Sequence, residues 1–299
     1  MTSVSQRLIK GGIIALVGKT AVAVGVVLVN ALVARLLSPE QTGLFLLALS
    51  MVTVAAVIAD FGFGKTLVRV IPDALSAGDN VRALSHIRQV FLFSIFTISM
   101  TALVLIGPPG IWLAGVLSHG ELLGSLMPLV ALWLAITVTM SLLAETCRGF
   151  HHIGEAIFFG GALNGLGNII VVSAVLSVIL LTAAPLSLGQ LILLFIGSGA
   201  LLSLLAMVRL IRRYRRHHRE GDRVALSGVF SMAWPFWVSN MTLILLTQAE
   251  IWILGLLRPP EEVAAFGLVA RLALLVSFPL VIVNSVLPPL ISELYARCL

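Results

Sequence analysis

Eight long apolar runs, parted by short polar or basic stretches, organise the chain, at roughly 11–34, 43–71, 88–107, 126–146, 156–182, 189–210, 229–257 and 263–290. A helix needs about 20 apolar residues to cross a hydrocarbon core of about 30 Å, and each run meets that length. The pattern predicts an all-α, polytopic membrane protein with about eight transmembrane helices. The first run follows Arg7 and Lys10, as in a signal peptide, but it is too long for an h-region and seven more runs succeed it. It therefore reads as a true span. The stretch 108–125, opened by Pro108 and Pro109, reads as a short interfacial helix. None of the other connections is long enough to fold as a catalytic domain.

Composition agrees with the runs. Of the 299 residues, 59% are hydrophobic and 11% charged, and the mean hydropathy is +1.10. Soluble domains carry about 25% charged residues, so a soluble enzyme and a disordered chain are both excluded. Cys147 and Cys298 cannot form a disulfide scaffold and lack metal-ligand spacing; neither a metal nor a cofactor is expected.

The net charge of +6 acquires meaning from its placement. With the N-terminus in the cytoplasm, 15 of the 19 lysines and arginines fall on the cytoplasmic side. Arg35 and Arg258 fall outside, and Lys19 and Arg271 fall within spans. Basic residues accumulate in cytoplasmic loops, so both termini are expected inside a bacterial inner membrane. The run RLIRRYRRHHREGDR (209–223) then reads as a cytoplasmic anchoring loop, and no nucleic-acid partner is expected.

The chain also contains an internal repeat. RLLSPEQTGLFLLALS (35–50) aligns with LLRPPEEVAAFGLVARL (256–272), pairing Pro39 with Pro260, Glu40 with Glu261 and Phe45 with Phe266 at an offset of 221 residues. Proline followed by glutamate suits the first turn of a helix, where an N–H is dispensable and the dipole favours negative charge. An even number of crossings separates the copies, so they share an orientation. Parallel repeats of this kind build transporters of two lobes. The division expected is a six-helix lobe over 1–215 and the first two helices of a second lobe over 216–299.

The stretch ARLLSPEQTGLFLLALSMVTVAAVIADFGFGKTLVR (34–69) resembles the N-terminal signature of oligosaccharide flippases and polysaccharide biosynthesis proteins, the O-antigen and exopolysaccharide translocases of the multidrug/oligosaccharidyl-lipid/polysaccharide exporter superfamily. The resemblance rests on Leu-Ser-Pro-Glu before span 2, Gly43 and Phe45, Ala-Asp-Phe-Gly-Phe-Gly (59–64), Arg148-Gly149, and PPEEVAAFGLVARL at the second-lobe opening. It implies two six-helix bundles that flip an undecaprenyl-pyrophosphate-linked oligosaccharide by alternating access, in company with a glycan polymerase and glycosyltransferases. Family members run to twelve or more spans, whereas this sequence stops after the eighth; a truncated chain inactive alone is one reading. A multidrug or lipid II exporter of the same superfamily is another. A membrane glycosyltransferase or polymerase is disfavoured, because the outer connections lack a large catalytic loop.

The resemblance also implies a central cavity lined by spans 1, 2, 7 and 8, which hold most of the polar residues embedded in apolar sequence. A charge at mid-bilayer costs about 2.5–3.5 kcal/mol on insertion scales, so such residues need a reason. Lys19 and Arg271 are the candidates for the substrate's pyrophosphate, since cations in a low-dielectric cavity attract phosphate and arginine binds it bidentately. Asn30, Asn240 and Gln248 are further cavity candidates, with Glu250 and Asp60 as candidates for the coupling ion. For Lys19 and Glu250 the alternative is snorkelling to the nearer interface. For Asp60 it is a structural role, pairing with Lys65 or Arg69 or satisfying backbone loosened by Gly62 and Gly64. Glu145 and Arg148, at i,i+3, are expected to pair locally. Gly161-x-x-x-Gly165 reads as a helix-packing motif.

Overall fold

The computed structural model describes residues 2–161, 165–214, 226–273 and 276. It is all-helical over these residues: α1 (Thr2–Leu36), α2 (Pro39–Asp60), α3 (Phe63–Ser76), α4 (Asn80–Ile106), α5 (Pro108–Ser118), α6 (Leu122–Ser125), α7 (Met127–Gly149), α8 (Ile153–Phe158), α9 (Leu166–Thr182), α10 (Leu188–Tyr214) and α11 (Leu226–Leu257). A further helix, α12, runs over 260–273. Six of these are long and apolar enough to cross a membrane, in α1, α2, α4, α7, α10 and α11, and α9 is a shorter apolar helix. The protein is thus an all-α polytopic membrane protein. The last predicted span, 263–290, lies largely outside the described residues, as does Cys298.

Two predicted spans differ from the structure. The run 43–71 is broken after Asp60, where Phe61 (φ 48°) and Gly62 (φ 78°) both take left-handed backbone. The left-handed region costs an ordinary L-residue about 1–2 kcal/mol, so a phenylalanine stays there only if its surroundings compensate. Beyond this elbow α3 is amphipathic: Phe63, Thr66, Leu67 and Ile71 are buried, while Lys65, Arg69 and Asp73 are exposed. The run 156–182 is interrupted between α8 and α9. Gly161 and Gly165 lie outside helix there, so they do not form the expected packing motif. A Cβ on Gly165 would strike the Gly160 carbonyl, which is the physical need for glycine at that bend. The 108–125 connection does carry short helices, α5 and α6.

The centre of the bundle is α2, most of which is buried, with α7 beside it. α7 packs on α2, α3, α4 and α10, and the Phe45, Trp133 and Phe195 rings of α2, α7 and α10 stack at centroid distances of 5.2–5.9 Å. Lipid tails are as apolar as leucine, so such packing works through dispersion and close approach rather than escape from water. Glycines permit that approach: Gly18 and Gly25 of α1 lie against Ile157 and Ile169, seating α1 on α8 and α9. α11 packs on α2, α3 and α5 but leaves most of its own surface exposed.

Candidate functional site

The seam between α2 and the α11–α12 pair joins the parts of the chain that carry most of the candidate residues. α2 and α11 run antiparallel along its length. At the Pro39 end, Pro39 and Pro260 each open a helix as its first residue, and Ser38 caps α2 by accepting from Gln41 N–H at 3.2 Å. The Pro260 carbonyl lies so close to Gly43 that a Cβ there could not fit, and Gly255 and Gly267 receive Leu47 and Leu46 in the same way. Midway, Trp252 Nε1 donates to Ser50 Oγ at 3.0 Å, and Ser50 in turn donates to the Leu47 carbonyl at 2.7 Å. Interhelical hydrogen bonds of this kind contribute about 0.6 kcal/mol on average within membranes. A double-mutant cycle of Ser50→Ala and Trp252→Phe, read by unfolding in detergent, is therefore expected to give a coupling of about 0.5–1.5 kcal/mol. A coupling indistinguishable from zero would remove this bond from the seam.

At the opposite end the Phe61–Gly62 elbow meets α11 backbone to backbone: a Cβ on Gly62 would strike the Ala233 carbonyl and the Trp237 amide. Phe61 stacks on Trp237 at 5.3 Å, Trp234 packs on Trp237 at 5.2 Å, and Phe93 meets Phe230 edge-on at 4.9 Å, with Phe63 bridging Phe61 and Phe230. This box supplies the compensation for the left-handed Phe61. Thr97 Oγ1 ties α4 to the same corner by donating to the Ala59 carbonyl at 2.6 Å.

Two hollows flank the seam. One of about 370 Å³ lies at the Pro39 end, lined by Glu40, Leu44, His119, Glu121, Pro260 and Glu261 among others. The second, of about 180 Å³, is apolar and lies between α2, α4, α5 and Trp252.

The candidate residues are distributed unevenly about this seam. Asn240 and Gln248 share the helical spacing of Ala233, Trp237, Ile251 and Gly255, which places them on the face of α11 turned to α2. Glu250 is off that face and exposed. Arg271 is half-buried near the end of the described part of α12, and Lys19 is exposed on α1. Among the described residues neither cation has an ion pair. Asn30 is buried, and its Nδ2 donates to the Val26 carbonyl of its own helix at 2.7 Å. Asp60 Oδ1 accepts from Gly64 N–H at 3.3 Å, so the carboxylate satisfies the backbone beyond the elbow.

The basic end of the bundle is built from several chain segments. Arg148 pairs with Glu145 at i,i+3, Lys65 Nζ stands 3.9 Å from the same carboxylate, Arg213 pairs with Glu155 at 3.3 Å, and Arg209 lies over the Phe159 ring at 5.6 Å. His152, in the turn after α7, has its pKa lowered from about 6.5, first by burial and next by the Arg213 charge. A lowered value in the fold means that stability is complete above the usual histidine range and falls as pH drops through it. His152→Gln is expected to flatten the loss of thermal stability between neutral and mildly acid pH; an unchanged profile would assign that loss to other groups.

Sequence reasoning did not find the aromatic box or the Ser50–Trp252 bond. Phe-Gly-Phe-Gly (61–64) and Trp-Pro-Phe-Trp (234–237) were the available signals, since aromatics beside glycine or proline mark helix breaks and close packing.

Compared with known proteins, the chain matches the model of one family, described as polysaccharide biosynthesis protein, over residues 8–295. No curated protein and no solved structure matches. The match spans nearly the whole sequence and accounts for the helical membrane bundle and the signature around α2: the chain belongs to the polysaccharide biosynthesis protein family, with a role in the synthesis or export of polysaccharide.

Proposed function

We propose that the protein is a translocator rather than an enzyme, and that it flips an undecaprenyl-pyrophosphate-linked oligosaccharide across the bacterial inner membrane. The family match over residues 8–295 carries this reading. The six membrane-length helices support it by making the bilayer the place where the protein works. The basic end of the bundle faces the cytoplasm, in keeping with the positive-inside distribution, and the Pro39 end faces outward. Lys19 and Arg271 hold the pyrophosphate, Asn30, Asn240 and Gln248 supply polar lining, and Glu250 or Asp60 carries the coupling ion. Charge-assisted hydrogen bonds from cations to phosphate are strongest where water is excluded, which is the advantage of an embedded site.

The test is translocation of a fluorescent lipid-linked oligosaccharide in proteoliposomes, scored by its accessibility to a sugar-modifying reagent added outside. Protein-dependent, saturable movement of the pyrophosphate-linked substrate is expected. Equal movement of the lipid without its sugar, or none, would overturn the assignment.

A further inference from the structure

Four helices of the bundle each bring an arginine to one depth. Phe63 faces Phe93 at 6.4 Å and Thr97 bonds the Ala59 carbonyl, so α4 runs antiparallel to α2 and α3, and Arg88 comes level with Arg69. Gly149 lies against Leu67 and Ile71, which sets the neighbouring Arg148 at the same height. Gly189 lies against Leu126, and Gly199 against Ile136 and Met140, so α10 runs parallel to α7 and Arg209 comes level with Arg148. By the rise of a helix, the four stand within about 5 Å of a common plane. The same rise puts Arg69 about 45 Å along the bundle from Pro39, the thickness of a bilayer with its headgroup layers. When the Pro39 end lies in one headgroup layer, the arginine plane lies in the other.

The four arginines are not equivalent. Arg148 is neutralised by Glu145. Arg88 and Arg209 are exposed and have no ion pair among the described residues. Arg209 rests on the Phe159 ring at 5.6 Å, which steadies the guanidinium and leaves its charge. The helices that carry these two flank α7 on one side of the bundle: Phe91 of α4, Ile136 of α7 and Leu210 of α10 all pack against a small cluster containing Met140 and Leu143. Each of the two also ends an exposed apolar stripe. Leu92, Ile95 and Phe96 lie one to two turns from Arg88, and Leu205 and Leu201 lie one and two turns from Arg209. Arg69 is exposed too, but the same face of its helix continues with Lys65.

We infer that this α4–α7–α10 flank binds an anionic phospholipid of the leaflet at the basic end, the cytoplasmic one in the orientation proposed above. Arg88 and Arg209 grip its headgroup from either side, and its acyl chains lie along the two apolar stripes. A basic site over interhelical apolar surface is the chemistry that recognises such lipids, and the guanidinium fork matches phosphate oxygens. The inference goes beyond the translocation reading, because it concerns a lipid of the bilayer and not the cargo.

The experiment titrates the full chain, in a neutral detergent, with dansyl-labelled phosphatidylglycerol, and reads binding as energy transfer from tryptophan. Saturable binding is expected, displaced by unlabelled phosphatidylglycerol and not by phosphatidylcholine. Arg88→Gln combined with Arg209→Gln should weaken it roughly 30-fold. Lysine at both positions keeps the charges and should retain most of the affinity. Arg69→Gln combined with Arg82→Gln removes the same charge from the neighbouring α3–α4 hairpin and should leave binding nearly unchanged. An equal loss in the two glutamine pairs would make the attraction a diffuse surface field and overturn the site, as would binding that never saturates. Farnesyl pyrophosphate displacing the label as well as phosphatidylglycerol does would assign the flank to a prenyl pyrophosphate and overturn it too. Should the glutamine pair fail to fold, Arg88→Gln alone, at a position with no stacked ring, gives the same reading at roughly fivefold.

Discussion

Replacing Lys19 and Arg271 together by glutamine is expected to abolish translocation of the pyrophosphate-linked substrate while leaving the bundle folded. Hydrogen bonds to charged groups are worth about 1.5–3 kcal/mol each, so losing two removes about 3–6 kcal/mol of headgroup binding. That corresponds to roughly two to four orders of magnitude in affinity. Stability should change little, because Lys19 is exposed and neither side chain has an ion pair among the described residues. The measurements are binding of the lipid-linked substrate in detergent, translocation in proteoliposomes, and thermal unfolding of both proteins. Lysine at position 271 is the informative intermediate: it keeps the charge but loses the bidentate fork, so activity between those of parent and double variant is expected. Undiminished transport in the double variant would remove the phosphate site from these residues.

The largest expected effect on stability lies at Trp133. Its side chain is fully buried in the stack with Phe45 and Phe195, and its indole N–H has no acceptor among the described residues. Truncation to alanine should cost about 3–5 kcal/mol, since the hole opens where α2, α7 and α10 meet. Phenylalanine should behave differently. It keeps a ring between its two neighbours and removes a buried unpaired donor, a group that costs about 1–3 kcal/mol. The two changes oppose each other, so Trp133→Phe is expected within about 1 kcal/mol of the parent. Unfolding in detergent micelles measures both variants. A phenylalanine variant as damaged as the alanine one would show that the indole N–H has a partner after all.

The helices were legible because hydropathy reports on what a segment can bury, and α1, α4, α7, α10 and α11 coincide with five apolar runs, while α2 takes only the first part of its own. The start of α2 was legible for a local reason: Pro39 and Glu40 fit a first helical turn, and Ser38 caps it. The elbow at Phe61–Gly62 was hidden, because the apolar run continues through it and burial says nothing about backbone direction. Asp60 lay between two readings. The structural alternative named the backbone freed by Gly62 and Gly64, and the Gly64 N–H is indeed what the carboxylate accepts. Lys65, one of the partners foreseen for Asp60, stands instead by Glu145 across the α3–α7 contact, and a long-range pairing of this kind leaves no trace in local spacing. The Trp252–Ser50 bond spans 202 residues and was illegible for the same reason.

The interruption before α9 has a consequence for the surrounding lipid. Its 17 residues rise about 26 Å, less than the about 30 Å of a typical hydrocarbon layer. Hydrophobic mismatch of this sort draws the two leaflets together, at a fraction of a kcal/mol for each ångström. Such thinning is expected at the flank where α1 and α9 pair, and it would shorten the distance between the two headgroup layers there.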